Sequence, residues 1–153
     1  MDELLLDTTY LLPIFGIDVG LEDYDKFTRV LEAYTVLYNP VSLIEAKWIA
    51  LRLMRRYPEM RKELAGAFIS GLKALSSEDR ISQVELTDPE VERAADLLLD
   101  AGMRDYFDRM IYATAAVRGY QLLTEDDELL KLKVKLRPKE VLSWSQLLRQ
   151  LPL

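Results

Sequence analysis

Short apolar runs alternate with longer stretches of helical period along the chain, which predicts an α/β domain on a central parallel sheet of four to five strands with crossover helices. Leu4-Leu5-Leu6 is apolar throughout, as a strand buried on both faces must be, and it stops at Asp7. Tyr24, Phe27, Val30, Leu31 and Tyr34 share a helical face, and a second strand, Thr35 to Tyr38, ends at Asn39-Pro40. Two helices come next. The second carries Met60, Leu64, Ala67, Phe68, Gly71, Leu72 and Leu75 as a core-facing stripe. The first, about Val41 to Tyr57, spreads Leu43, Ile44, Trp48, Ile49, Leu51, Leu53 and Met54 over more than one face, which points to a partner outside its own domain. A third strand over Ile81 to Leu86 leads through Thr87-Asp88-Pro89, a helix-start signal, into a helix ending near Gly102. A helix from about Asp105 to Arg118, closed by Gly119, precedes a fourth strand, Tyr120 to Leu123. A last strand near Glu140 to Leu142 and a terminal helix through Leu147 and Leu148 complete the pattern.

With 153 residues, half of them apolar, the chain suffices for one domain with a core and is short for two, so residues 1–153 read as a single domain. The net charge of −6 supplies no overall basic field, so a polyanion must be met by a local basic patch or by metal ions. Basic charge concentrates at Lys47, Arg52, Arg55, Arg56, Arg61 and Lys62, and again at Lys131, Lys133, Lys135, Arg137 and Lys139. Such runs are commonly solvated helix faces or charged edges, with phosphate contact as the alternative. Trp48 reads as a core or interface residue, with stacking on a base as its alternative. There is no cysteine and no histidine, which removes disulfides, thiolate ligands and the commonest general base. Chemistry must then rest on carboxylates, hydroxyls, lysines or a bound metal. Met1-Asp2-Glu3 is acidic where a secretory signal is basic, and charge interrupts every apolar run well short of the roughly 20 residues that span a bilayer, so a soluble cytoplasmic protein is expected. A single asparagine, no cysteine and abundant Glu, Lys, Arg and Leu lean toward a thermophile.

In open α/β sheets ligands gather beyond the carboxyl ends of the strands. Asp7 ends the first strand, Glu45 opens the helix after the second, Asp108 lies on the first turn of the helix before the fourth, and Asp126 follows the fourth. Each has a purely structural alternative. Ser42-Leu43-Ile44-Glu45 fits a capping box, Asp105 and Asp108 have the same spacing, Thr124 to Asp127 suits a cap, and Asp7 suits the N-cap of the next helix. The set favours a cation, because four acids converging on one crevice repel one another unless a positive charge compensates. Oxygen-only ligands suit Mg2+ or Mn2+.

The stretch Leu4-Leu5-Leu6-Asp7-Thr8-Thr9-Tyr10-Leu11 resembles the opening strand of PIN domains, and Val41-Ser42-Leu43-Ile44-Glu45 is similar to their second element. The most specific part runs from Asp108-Arg109-Met110-Ile111-Tyr112-Ala113 to Gly119-Tyr120-Gln121-Leu122-Leu123-Thr124-Glu125-Asp126: an acid opening an alanine-rich helix, a glycine, then a strand ending in T-x-D. The separation of 126 − 108 = 18 residues resembles the VapC-type toxin branch. The likeness implies a three-layer sandwich with strand order 3-2-1-4-5, which sets Asp7 beside Asp126. It further implies a metal-dependent endoribonuclease acting on single-stranded or structured RNA, with Asp7, Glu45, Asp108 and Asp126 holding Mg2+ or Mn2+. Thr8, Thr9 and Thr124 would orient ligands. Where relatives often have an acid and a phenylalanine after T-x-D, this chain reads Asp127-Glu128-Leu129, and Glu128 is the candidate for a fifth acidic place. A VapB-type antitoxin and a homodimer are the implied partners, with the Val41 to Tyr57 helix as the candidate contact. Two other readings stay open: a PIN nuclease of RNA processing without antitoxin, and a non-catalytic α/β interaction module whose acids only cap helices.

Overall fold

The computed structural model describes residues 1–152. Five parallel strands, β1 (Glu3–Leu6), β2 (Thr35–Tyr38), β3 (Ile81–Gln83), β4 (Gln121–Leu123) and β5 (Glu140–Leu142), form one sheet in the order β3-β2-β1-β4-β5. The helices between them are α1 (Phe27–Ala33), α2 (Val41–Arg56), α3 (Arg61–Ser77), α4 (Pro89–Asp100), α5 (Tyr106–Arg118), α6 (Asp127–Lys131) and α7 (Trp144–Gln150). The predicted strand order and class are the observed ones.

β1 lies at the centre, with Leu5 opposite Leu37 of β2 on one side and Leu122 of β4 on the other. Side chains alternate between sheet faces with period two, so a run of three leucines feeds both layers. Leu4 and Leu6 join a core with Phe15, Val30, Phe68 and Trp144, while Leu5 joins one with Val91, Leu98, Met110 and Ile111. Helices thus cover both faces, giving three layers. None of them is long and apolar enough to cross a membrane.

The observed elements depart locally from the expected ones. Tyr24 belongs to a 3-10 turn preceding α1, and Tyr34 follows the helix as extended backbone. The third strand pairs only over Ile81–Gln83. The carbonyls of Glu85 and Leu86 face the buried Asn39 amide, at 3.5 and 3.0 Å, and the same Nδ2 donates to Thr114 Oγ1 at 3.0 Å. Asn39 Oδ1 accepts from the Val41 N–H at 2.9 Å. One side chain therefore satisfies backbone groups that the sheet does not. Finally, Ser42 is the second residue of α2 and not its cap, so no capping box holds Glu45.

Residues 8–15 form two 3-10 turns, not a regular helix, and α3 packs directly on the second. Phe15 stacks on Phe68 with ring centroids 4.5 Å apart. Gly71 permits this approach, because a Cβ there would lie 2.6 Å from the Ile14 carbonyl oxygen and 2.5 Å from Phe15 Cδ1. The backbone atom cannot rotate away, so Gly71→Ala is expected to destabilise the protein by about 1–3 kcal/mol, the usual range for overpacking. Chemical denaturation checks this, and a midpoint at or above that of the parent would show that α3 does not depend on the contact.

Candidate active site

The chain runs from β1 outward through β2 and β3 and then crosses back to β4, so the crevice beyond the carboxyl ends of β1 and β4 is the switch point of the sheet. The Asp7 N–H donates to the Leu123 carbonyl of β4 at 2.9 Å, which fixes the residue at that seam. Its Oδ1 accepts from the Thr8 N–H and its Oδ2 from Thr124 Oγ1, both at 2.7 Å. Asp7 is only 6% exposed, and no basic side chain pairs with it among the described residues. Burial pushes its carboxyl above the ordinary range, against the opposing effect of the two hydrogen bonds.

Thr124 serves two acids, since Oγ1 donates to Asp7 and accepts the Asp126 N–H at 3.1 Å. Asp126 caps α6 by taking the Glu128 N–H on Oδ1 at 2.8 Å. Glu45, fifth in α2, is half-buried. Burial raises its pKa, the Thr8 hydroxyl opposes that, and the charges of Asp7 and Asp105 add to it. Asp108 is third in α5, and burial, followed by the charges of Asp7, Asp105, Asp126 and Glu45, pushes it up to about 8.

These side chains line one open cleft of about 430 Å3, together with Thr8, Thr9, Asp105 and Glu125. Asp7, Glu45, Asp108 and Asp126 are thus all brought together, from four separate segments. Asp105 was legible only as a helix cap. It does cap α5, its Oδ1 taking the Asp108 N–H at 2.9 Å, and it also adds a further acid to the cleft. Its position one turn from Asp108 was the available signal. Glu125 was overlooked as well; its Oε1 holds the Trp144 N–H at 3.1 Å. Glu128 contributes its backbone N–H to Asp126, and its side chain is exposed and outside the lining. The basic tail also stands apart, Lys139 pairing with Asp2 at 2.9 Å and Lys135 bordering an apolar cavity between α4 and α5.

Capping alone leaves much unexplained. Asp7 caps the 3-10 turn that follows it and Asp105 and Asp126 cap helices, whereas Glu45 caps nothing and Asp108 receives its cap from Asp105. Among the described residues no three acids already close into a ligand cage. Asp7 and Asp126 are each tied to backbone donors. The donor set is all oxygen, partly buried and without salt bridges among the described residues, which fits a hard divalent cation of the Mg2+ or Mn2+ kind.

A carboxyl raised in the folded state keeps its proton where the unfolded chain has lost it. Stability therefore falls as pH rises from about the ordinary value of 3.8 through the folded value of about 8. In EDTA the melting temperature should decline between pH 5 and pH 8, and Asp108→Asn should remove much of that decline, as followed by circular dichroism. A flat profile for the parent protein would contradict a carboxyl raised by burial and by its acidic neighbours.

Fold and cleft together define a three-layer α/β protein with an acidic crevice at its sheet switch point. The PIN domain family model matches residues 4–135, and the chain belongs to that family, whose members are in general nucleases. Two solved structures share the fold. PAE2754 from Pyrobaculum aerophilum superposes with a TM-score of 0.64 at 24% identity, covering 98% of this chain and 96% of its own. VapBC2 from Rickettsia felis, solved bound to a DNA fragment from their promoter, gives a TM-score of 0.63 at 13% identity, covering 93% of this chain and 98% of its own. No curated protein matches the sequence at a significant level.

Proposed function

We propose that the protein is a metal-dependent endoribonuclease that hydrolyses RNA phosphodiester bonds at the acidic cleft, and that it is the toxin of a VapBC-type pair. The observation that carries the nuclease reading is the convergence of Asp7, Glu45, Asp108 and Asp126 from four segments on one cleft where, among the described residues, none of them forms a salt bridge.

In this reading Asp7 and Asp126 hold Mg2+ or Mn2+ directly, and Glu45 and Asp108 complete the set directly or through water. When bound, the ion supplies a water activated near neutral pH, neutralises phosphate charge and steadies the leaving oxygen. The protein's own work is positional. Thr124 fixes Asp7 and the start of the Asp126 turn at once, and the Thr8 N–H fixes the other Asp7 oxygen, so both acids are oriented before any ligand arrives. The openness of the cleft suits a polymer that enters from the side. A VapB-type antitoxin would act by covering this cleft, and a homodimer belongs to the same reading. The fold shared with a structure that contains VapBC2 supports it.

Labelled RNA incubated with the purified protein should be cut when Mg2+ or Mn2+ is present and left intact in EDTA, giving 5′-phosphate and 3′-hydroxyl ends. Asp7→Asn, prepared identically, should reduce cleavage to background. Thr124→Val should lower it by about 10–100-fold, the usual cost of removing a group that orients a metal ligand. Cleavage that survives in EDTA, or equally in Asp7→Asn, would remove the basis for the nuclease reading. A small protein co-purifying with the chain and released together with the activity would support the toxin assignment, and an active protein with no such partner would favour an RNA-processing nuclease.

A further inference from the structure

A second groove of about 410 Å3 opens beside the acidic cleft and shares Glu45 and Asp105 with it. Trp48, Arg52 and Arg55 of α2 form one wall and Phe107 the other. Positions 45, 48, 52 and 55 are spaced by three, four and three residues, so they lie on one stripe of the helix. At 1.5 Å per residue that stripe is about 15 Å long. Its chemistry is ordered: a carboxylate at the cleft, then an indole, then two guanidinium groups.

Each part is poorly explained by folding alone. Trp48 is 59% exposed, and Phe107 meets it edge-on at 5.5 Å, so much of the indole surface stays open to solvent. Arg52 and Arg55 are exposed and have no ion-pair partner among the described residues, although the chain carries a net charge of −6. Lys47 and Arg56, by contrast, sit over the rings of Phe68 and Tyr57. Free guanidinium groups flanking an open aromatic surface match a nucleic acid strand, whose phosphates and base faces alternate.

Resting on the nuclease reading of the cleft, we propose that this stripe seats the single-stranded RNA next to the scissile phosphate, one base stacking on Trp48 and the following phosphates meeting Arg52 and Arg55. A duplex keeps its base faces stacked inside, so the stripe selects unpaired RNA. A second copy of the chain is the competing occupant, through Trp48 and Leu51, but it would have to pair or bury two guanidinium groups that a polyanion satisfies directly.

The test is fluorescence anisotropy of a labelled single-stranded RNA of mixed sequence with the full chain in EDTA, so that binding is read without cleavage. Trp48→Ala should weaken binding by roughly 5–150-fold and Trp48→Phe much less, as stacking on one base predicts. Replacing Arg52 and Arg55 together by Ala should flatten the dependence of log K on log salt by about 1.4, at about 0.7 per phosphate contact on a single strand. The same RNA annealed to its complement should bind without regard to Trp48. If the variants bind and cleave RNA as the parent does, the stripe is not the strand seat, while the nuclease reading stands. If Trp48→Ala abolishes self-association in sedimentation and leaves RNA affinity unchanged, the groove is a contact between copies and the proposal falls. A parent protein that neither binds nor cuts RNA would overturn the nuclease reading and this one with it.

Discussion

Burying a carboxylate without a counter-charge costs several kcal/mol unless hydrogen bonds or a cation offset it. Asp7 is that carboxylate here. It sits where the two halves of the sheet meet, its backbone tied to β4 and its side chain to Thr8 and Thr124. Two hydrogen bonds keep the group in place but leave its charge uncompensated, and Glu45, Asp105, Asp108 and Asp126 are added around the same cleft. The sheet order makes this unavoidable, because β1 and β4 are neighbours whose carboxyl ends both carry acids. Gathering so many carboxyls at the switch point raises the pKa values of Asp7, Glu45 and Asp108 and costs stability at neutral pH.

The remainder of the structure positions that cleft. Three leucines of β1 feed both cores, so the strand cannot shift register without exposing one of them. Asn39 satisfies the junction of β2 with α2 and thereby sets where Glu45 emerges. Asp105 caps α5 and leaves the Asp108 side chain free for the cleft. Capping is thus done by one acid while its neighbour one turn on lines the cleft.

Much of this was legible in the sequence, because a buried parallel strand has an unmistakable apolar run and the acids fall directly at the ends of such runs. The strand order came from the resemblance, since periodicity says nothing of which strands are neighbours. What escaped were features fixed by tertiary contact. Beyond the third strand the Glu85 and Leu86 carbonyls turn to the Asn39 amide, and the 3-10 segment after β1 packs against α3 at a glycine. Asp105 was missed because a local backbone partner three residues on accounts for it in one dimension, and Glu125 because its partner, the Trp144 N–H, is brought to it only by the fold. The apolar excess of α2 was visible, but whether Trp48 faced core, partner or solvent depended on the rest of the molecule.

Proton release on metal binding tests the proposed metal centre most directly. With Asp108 near 8, its carboxyl is largely protonated at pH 7 and must give up that proton when a cation takes the site. Titrating Mn2+ into weakly buffered protein at pH 7 should release protons as the ion binds, and fewer in Asp108→Asn. Saturable binding with no proton released, or no binding at millimolar Mn2+, would contradict the cleft as a metal centre.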